Sequence, residues 1–317
     1  MRRRTLLAAT FPAALLSAGR ARAVDGLRLA VGQKGNWDTS VAEVGQRAGI
    51  FRTHDLELDI LYTQGSGETL QAVLSRSAEI GVAGGTLGAI GAFAKGAPLR
   101  IIGSEAKGAG DLFWYVRADS PLRSIRETNG KTVAFSTQGS STNSVVLGFV
   151  DTFGVKPELV ATGGIPGTYT QVMSGQIDVG WSAAPYLLEA AEAGKIRIIA
   201  SGNDVPSMRD QTVRVNVAHA AVLDSRKPVV ARFVSAYRET VQWMYQSADA
   251  AKAYAEFAGV PERFVSRLRA EFFPNEAIWS DRITGIDSLM ADAVRFKFIA
   301  APLSKEQITQ MIQTTPA

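Results

Sequence analysis

The sequence predicts an α/β protein with two similarly built lobes that two extended segments connect. The first observation is a helix–strand–helix–strand pattern that occurs twice in the same order. Glu79-Ile-Gly81 aligns with Asp178-Val-Gly180, and Arg100-Ile-Ile102 aligns with Arg197-Ile-Ile199. Because both the order and the lengths of the elements agree, two α/β units are favoured over a chance similarity.

The second observation is a pair of extended runs that can connect the units. Leu112-Phe-Trp-Tyr-Val116 leads out of the first unit, and the run from Val213 to Leu223 leads back. Two crossings form a hinge about which lobes can open and close. We therefore expect lobe 1 to hold residues 24–116 and 218–317, and lobe 2 to hold residues 117–217.

The third observation is a strand, a hydroxyl-rich loop and a helix in succession. Val133-Ala-Phe135 is typical of a buried parallel strand, the loop surrounds Gly139, and the helix ends at Gly154. The first N–H groups of a helix are unpaired and its dipole favours negative charge, so this element can cradle an anion. The alternative is an ordinary turn with Ser141 or Thr142 as the helix N-cap.

The other elements follow from apolar periodicity and from glycine, proline and capping signals. The predicted strands are Leu27–Val31, Leu56–Tyr62, a short strand from Ala78, Leu99–Ile102, a short strand from Gln176 and Ile196–Ile199. The predicted helices are Ser40–Ala48, Thr69–Ser75, Gly88–Ala92, Pro185–Ala193, Pro228–Tyr245, Asp249–Phe257, Pro261–Arg269, Ser280–Phe296 and Ser304–Ile312. We expect the C-terminal helices to support lobe 1.

The N-terminus has the pattern of a secretory signal peptide. Arginines at positions 2–4 precede an apolar stretch from Leu6 to Leu16, and Ala21-Arg-Ala23 fits a cleavage site after Ala23. The apolar stretch is too short to span a membrane. We predict removal of residues 1–23 and a periplasmic location, with either the general secretory or the twin-arginine route.

Charge and cysteine content exclude several classes of function. The predicted signal contains five arginines and no acidic residue, so residues 24–317 hold 29 basic and 30 acidic side chains. No basic block remains for nucleic acid or an anionic membrane. Cysteine is absent, which excludes disulfides, thiolate metal sites and thiol catalysis. We expect a soluble monomer without cofactor or metal.

Five loops are expected to meet at one site between the lobes. In open α/β sheets ligands bind beyond the carboxyl ends of the strands, and several of these loops also begin helices. The loops are Lys34–Thr39, Gln64–Gly67, Gly84–Thr86, Ser136–Thr142 and Ala183–Pro185.

These residues carry a resemblance to a known family. The segments Gln64-Gly-Ser-Gly-Glu-Thr-Leu-Gln-Ala-Val73, Ala78-Glu-Ile-Gly-Val82, Gly130-Lys-Thr-Val-Ala-Phe135, Gly139-Ser-Ser-Thr142 and Ser174-Gly-Gln-Ile-Asp-Val-Gly180 resemble periplasmic solute-binding proteins of ABC importers. The similar group binds nitrate, sulfonates or taurine and includes the NMT1/THI5-like proteins. The resemblance implies a type II periplasmic-binding-protein fold that closes on a small solute and delivers it to a permease with its ATPase.

The resemblance also implies a set of ligand-binding residues. Amides and hydroxyls would hold an anionic group, tryptophans would pack on an apolar part, and asparagine, lysine or arginine would orient or neutralise a polar group. These residues are Lys34, Asn36, Trp37, Ser66, Thr86, Gln138, Gly139, Ser140, Ser141, Thr142, Trp181, Pro185, Arg214 and Asn216. For both tryptophans core packing is an equal alternative, and Lys34 and Arg214 have structural alternatives as a solvated side chain and a hinge residue.

The sequence departs from the enzymes that it could resemble. Fungal pyrimidine-synthesising relatives need a histidine and a cysteine-rich motif, but this chain has two histidines and no cysteine. Gly130-Lys-Thr132 lacks the first glycine of a phosphate-binding loop, because Ile125 stands there. The carboxylates of Asp38, Glu68 and Asp111 leave open a secreted enzyme with a carboxylate-based site. Our first choice of solute is an organic sulfonate or carboxylate, and a neutral or aromatic solute such as a pyrimidine is the second.

Overall fold

The computed structural model describes residues 24–280 and 282–314. The predicted signal peptide, residues 1–23, lies outside these described residues. The strands are β1 (Asp25–Gly32), β2 (Leu56–Thr63), β3 (Ile80–Gly85), β4 (Leu99–Lys107), β5 (Leu112–Arg117), β6 (Thr132–Phe135), β7 (Glu158–Ala161), β8 (Gly180–Ala183), β9 (Ile196–Ser201), β10 (Thr212–His219) and β11 (Ile278–Ser280). The α-helices are α1 (Val41–Arg47), α2 (Ile50–Thr53), α3 (Ser66–Leu74), α4 (Thr86–Ala94), α5 (Ser141–Phe153), α6 (Ile165–Met173), α7 (Leu188–Glu192), α8 (Ala220–Gln246), α9 (Ala248–Ala258), α10 (Arg263–Arg267), α11 (Ile286–Arg295) and α12 (Lys305–Met311). Within the described part of the chain, no helix is both long enough and apolar enough to cross a membrane.

The first body of the molecule, lobe 1, is built on a six-stranded sheet in the order β11-β4-β10-β3-β1-β2. Strand β1 runs parallel to both β2 and β3, and the chain returns between them through helices. Every residue of β3 is buried, as expected for an apolar strand that is covered on both faces. Strand β10 runs antiparallel between β3 and β4.

The second body, lobe 2, contains a three-stranded ribbon in the order β8-β5-β9 and the parallel pair β6-β7. A bridge between Val133 and Val179 joins the two groups, and the Ala134 N–H donates to the Val179 carbonyl at 2.8 Å. Helix α5 packs on this arrangement through Phe149, whose ring meets Trp114 edge to face at 4.8 Å between centroids. The fold is therefore α/β in both lobes, as predicted.

The two runs that were expected to connect the lobes are strands of the two sheets. The run Leu112–Val116 is the central strand of lobe 2, and β10 is an inner strand of the lobe 1 sheet. Residues 220–223 of the second predicted run already belong to helix α8. Both runs have the apolar pattern of a buried strand, and we propose that the chain crosses between the lobes just before each of them. We propose that lobe 2 comprises residues 112–211.

Several helix starts differ from the prediction: Ser280 lies in β11 and α11 begins only at Ile286, and two other differences lie at prolines. The Ala184–Pro185 peptide is cis, a turn follows it, and α7 begins only at Leu188. Pro228 lies inside α8, which begins at Ala220 and has non-helical backbone angles at Arg226. Proline fits the first turn of a helix. Because the backbone at Arg226 is not helical, Pro228 lies in the first turn of the second part of α8.

The two lobes touch in this structure. The Gly67 N–H donates to Thr137 Oγ1 at 3.2 Å, and the Tyr186 hydroxyl donates to the Lys34 carbonyl at 2.8 Å. On another flank Arg295 of α11 pairs with Asp151 of α5 at 2.8 Å. The space between the lobes is consequently a narrow cavity.

Candidate functional site

A small, narrow cavity lies between the lobes, where strands of both sheets end. Residues of β1, α3 and β10 form its lobe 1 side, and residues of β8 and of the β6–α5 loop form its lobe 2 side. Its lining consists of Gly32, Gln33, Asn36, Asp38, Thr39, Gly65, Ser66, Ala83, Leu112, Ser136, Ser141, Thr142, Trp181 and Arg214. The cavity therefore has the location that the strand order predicts for a ligand site.

The N-terminus of α5 forms one wall of the cavity. Ser140 is the N-cap, and its Oγ accepts the Asn143 N–H at 3.0 Å. Thr142 Oγ1 accepts the Ser136 N–H at 2.9 Å and lies 2.8 Å from Ser136 Oγ. The predicted N-cap, Ser141 or Thr142, was wrong by one or two residues, since the extended backbone of Ser140 is what a cap requires.

The N-terminus of α3 faces that of α5 across the cavity. The Ser141 N–H donates to Ser66 Oγ at 3.1 Å, which joins the two lobes directly. Helix N-termini carry partial positive charge, and two of them here meet at one point. An anion that inserts between Ser66 and Ser141 would accept N–H and O–H groups from both lobes.

Glycines in α3 and α4 permit the close approach of the β6–α5 loop to lobe 1. A Cβ atom at Gly67 would lie 2.0 Å from the Gln138 carbonyl oxygen, and one at Gly88 would lie 2.2 Å from the Gly139 carbonyl oxygen. Both distances are below contact, so a side chain at either position would push lobe 2 away from α3 and α4. The glycines of lobe 1 thus allow the β6–α5 loop to sit directly on it.

A buried charged cluster forms the opposite wall of the cavity. Arg214 of β10 places Nε 2.7 Å from Asp38 Oδ2 and Nη2 2.9 Å from Asp111 Oδ1. All three side chains are at most 6% exposed. Burial raises the pKa of Asp111, and the adjacent guanidinium opposes that shift. Burial lowers the pKa of Arg214, but the charges of Asp111 and Asp38 together raise it above its ordinary value, so the guanidinium stays charged.

Glu105 lies behind this cluster in a fully buried position. Its Oε1 accepts the Tyr237 hydroxyl at 2.8 Å and its Oε2 accepts Asn216 Nδ2 at 2.5 Å. Burial, and then the charge of Asp38, raises the pKa of Glu105 to about 8, although both hydrogen bonds act in the opposite direction. Glu105 is therefore mostly protonated at neutral pH.

Several buried polar atoms at the site have no hydrogen-bond partner among the described residues. They are Asn36 Oδ1, Asp38 Oδ1, Thr86 Oγ1, Asp111 Oδ2 and Trp181 Nε1. Buried polar atoms are normally paired, and an unpaired one costs free energy. Asn36, Asp38 and Trp181 line the cavity, so their unpaired atoms are the natural contact points for a polar ligand.

The structure brings some of the predicted site residues into the cavity and places others elsewhere. Those in its lining are Asn36, Ser66, Ser141, Thr142, Trp181 and Arg214. Gln138 and Gly139 lie in a second groove between the lobes, together with α4 residues. Ser140 acts as the cap, Thr86 is buried at the start of α4, and Pro185 lies in the turn after β8.

The other predicted residues have structural partners. Lys34 Nζ lies over the Phe257 ring at 5.3 Å from its centroid, facing a different groove. Trp37 donates Nε1 to the Tyr245 hydroxyl at 3.1 Å inside the core. Asn216 Oδ1 accepts the Ala83 N–H at 3.0 Å, and Asn216 Nδ2 donates a hydrogen bond to Glu105.

Sequence reasoning placed too little weight on the acidic residues. Asp38 and Asp111 do meet, as the carboxylate alternative anticipated, but on the Arg214 guanidinium. Glu68 does not join them, because its Oε2 accepts the Gln64 N–H at 2.9 Å. Gln33, Thr39, Gly65 and Ser136 were missed as lining residues, although each lies in or beside a loop that was predicted to form the site. No group of His, Cys, Asp or Glu within the described ranges has a metal-binding arrangement.

Comparison with known proteins places the chain in a wider context. A family model described as NMT1/THI5 like matches residues 39–251. No curated protein shows significant sequence similarity to the chain. The alkanesulfonate-binding protein SsuA from Xanthomonas axonopodis pv. citri bound to MOPS has a similar structure, with a TM-score of 0.75 at 18% identity over 92% of this chain and 98% of that one.

Two further structures show the same fold. The periplasmic nitrate-binding protein NrtA from Synechocystis PCC 6803 matches with a TM-score of 0.68 at 13% identity, covering 92% of this chain and 86% of the other. The desulfurization enzyme DSZB matches with a TM-score of 0.61 at 16% identity, covering 89% and 95%. The fold is thus that of the periplasmic binding proteins, and it also occurs in an enzyme.

Proposed function

Because the chain belongs to the NMT1/THI5-like family, within the periplasmic solute-binding proteins of ABC importers, we propose that it captures a small organic anion between its lobes. The observation that carries this proposal is the meeting of the α3 and α5 N-termini at Ser66 and Ser141 inside the interlobe cavity. Two helix N-termini with adjacent hydroxyls favour a sulfonate or carboxylate.

Trp181 supports the same choice. Its Nε1 is a buried donor without a partner among the described residues, and the side chain lines the cavity. An indole N–H can only donate, so it fits a solute oxygen. The ring also offers an apolar surface to the organic part of the solute. A neutral aromatic solute such as a pyrimidine could pack on this ring, but it would bring no negative charge to the facing helix termini.

Closure of the lobes is the proposed working step. A solute that contacts Ser66 in lobe 1 and Ser141 in lobe 2 gains both contacts only when the lobes approach, so it shifts the population towards the closed form. A permease with its ATPase would then recognise that form. We further propose export by the N-terminal signal into the periplasm and action as a monomer.

A binding role is favoured over an enzymatic one by the state of the acidic groups. Asp38 and Asp111 both form ion pairs with Arg214, and Asp111 does not line the cavity, so the two do not form a pair of carboxylates that face a solute there. His54 lies 2.7 Å from Glu239, and His219 caps α8 through Nδ1; neither lines the cavity. Turnover of a bound solute would contradict this proposal.

A thermal-shift screen of the purified protein tests the proposed solute class. The panel contains alkyl and aryl sulfonates, carboxylates, nitrate and pyrimidines. A solute at a hundred times its dissociation constant stabilises the folded state by about 2.7 kcal/mol, which raises the melting temperature by several degrees.

The variant Ser66→Ala examines the facing helix termini directly. It should reduce the shift given by the best anion, while Ser75→Ala at the exposed end of the same helix should leave it unchanged. A shift with neutral pyrimidines alone would contradict the anion cradle.

A further inference from the structure

The charge of Arg214 is already neutralised by ion pairs within the protein. Of the described residues that line the cavity, Arg214 is the only basic one. Its Nε and Nη2 atoms each meet a different carboxylate, at 2.7 and 2.9 Å. Two acidic side chains therefore face one guanidinium. A solute anion is attracted less strongly by this wall than it would be by an arginine without acidic partners.

The same wall also contains buried acceptor atoms without a partner among the described residues. Asn36 and Asp38 both line it, and both are buried, at 6% and 0% exposure. Asn36 Oδ1 and Asp38 Oδ1 have no hydrogen-bond partner among the described residues. A carboxylate oxygen can only accept a hydrogen bond, so a solute that satisfies it has to donate one.

We propose that the Asn36–Asp38 wall selects solutes that carry a hydrogen-bond donor, an ammonium or a hydroxyl group, in addition to their anionic group. The inference rests on the proposed function, since the anionic group is the part that the α3 and α5 termini hold. Asp38 is then the specificity-determining residue: it attracts the donor and repels a second negative charge.

We expect an anion without a hydrogen-bond donor to bind weakly at this site. Nitrate or a short alkanesulfonate can satisfy Ser66, Ser141 and Trp181, but it leaves the buried acceptors unpaired. A site built to hydrogen-bond a group discriminates against analogues that lack it, because its own polar atoms then remain unsatisfied. The selectivity thus arises from the protein atoms that are left without a partner.

A matched series of solutes tests this inference by isothermal titration calorimetry at pH 7. Ethanesulfonate, 2-hydroxyethanesulfonate and 2-aminoethanesulfonate share the anion and differ in the donor, and propanoate with 3-aminopropanoate repeats the comparison for carboxylates. We expect the amino compound to bind at least about tenfold more tightly than the unsubstituted one, as a charge-assisted hydrogen bond requires.

Two aspartate variants separate the cavity wall from the ion-pair cluster. Asp38→Asn and Asp111→Asn each remove one carboxylate from Arg214, but only Asp38 lines the cavity. Asp38→Asn should abolish most of the preference for the amino compound. Asp111→Asn should keep the ratio of the two affinities, even where both affinities fall. Asn36→Ala leaves both ion pairs in place and should reduce the preference for the hydroxyl compound, so the inference remains testable if Asp38→Asn fails to fold.

The outcomes distinguish this inference from the proposed function. Equal affinities for donor-bearing and donor-free anions, or equal loss of preference in both aspartate variants, would overturn the donor requirement and leave the anion-binding role intact. If no anion of either series binds the wild-type protein, the proposed solute class is wrong and this inference falls with it.

Discussion

A single arginine shows how far a residue's role depends on its neighbours. Arg214 was predicted either as a counter-charge for the solute or as a hinge residue, and in this structure its guanidinium joins Asp38 of lobe 1 to Asp111 at the first crossing. The sequence could not decide between these roles, because Asp38 and Asp111 are far from position 214 in the chain. Their meeting depends on the pairing of β10 with β3 and β4.

Removal of the Arg214 charge should destabilise the protein strongly. Arg214→Gln leaves two buried acidic groups without their partner, and breaking a buried ion pair in this way costs about 3–5 kcal/mol. Arg28→Gln is the matched control, because Arg28 is half exposed and lies 3.8 Å from Glu79, where an ion pair contributes about 0–1 kcal/mol. Urea denaturation measures both, and equal losses would show that the Arg214 cluster is solvated.

Glu105 should make the stability of the protein depend on pH. Its pKa is about 8 in the folded state and 4.5 as an ordinary glutamate, so the folded protein holds one proton more between these values. Stability from this group is therefore complete below pH 4.5 and decreases as the pH rises to 8, by at most about 1.4 kcal/mol per pH unit.

The variant Glu105→Gln isolates this effect. Glutamine keeps acceptor and donor capacity without titrating, so its unfolding free energy should decrease less between pH 5 and pH 8 than that of the wild type. Urea denaturation at several pH values gives both curves. Parallel curves would mean that Glu105 is ionised throughout the range.

At the scale of the elements, the N-terminus of α5 is the best-defined feature. Ser140 Oγ accepts the Asn143 N–H in a fully buried position. Ser140→Ala should lower the free energy of unfolding by about 1–2 kcal/mol. The Asn143 N–H would lose its acceptor, and in this buried position it cannot hydrogen-bond to water instead.

The exposed cap of α12 provides the comparison for this effect. Ser304 Oγ accepts the Gln307 N–H at 3.2 Å, and Ser304→Ala should cost about 0.5–1 kcal/mol. Denaturant midpoints rank the two variants. A larger loss at Ser304 would show that burial of the α5 cap is not what strengthens it.

The elements could be predicted well where the local pattern alone decides them. The strand at Thr132–Phe135 and the helix that ends before Gly154 agree with the sequence prediction. Other local signals are ambiguous: an apolar strand looks the same whether it crosses between lobes or lies inside a sheet, as β5 shows. Trp37 was similarly ambiguous, since its indole fits a ligand and a core equally well, and it lies in the core between Tyr245 and Tyr254.

At the scale of the whole molecule, close backbone approach determines how tightly the lobes meet. Gly88→Ala would place a methyl group 2.2 Å from the Gly139 carbonyl oxygen. We expect this variant to favour the open form and to weaken solute binding by about tenfold or more, because only the closed form makes all contacts.

Small-angle X-ray scattering and calorimetry can measure this change together. The radius of gyration in the presence of solute should be larger for Gly88→Ala than for the wild type. Gly26→Ala is the control, since a methyl group there has no neighbour within 4 Å. An unchanged radius with unchanged affinity would mean that α4 and the β6–α5 loop separate in the solute-bound form.

The position of β10 has a consequence for how the chain folds as it is made. Strand β10 lies between β3 and β4, yet it is synthesised only after the whole of lobe 2. Until residue 219 has been added, β3 and β4 each lack their antiparallel neighbour and expose a free edge that can pair with another chain. The proposed lobe 2 is continuous in sequence, whereas lobe 1 is complete only when its inner strand β10 has been added. A nascent or truncated chain that ends between the two crossings is therefore the form most prone to aggregation.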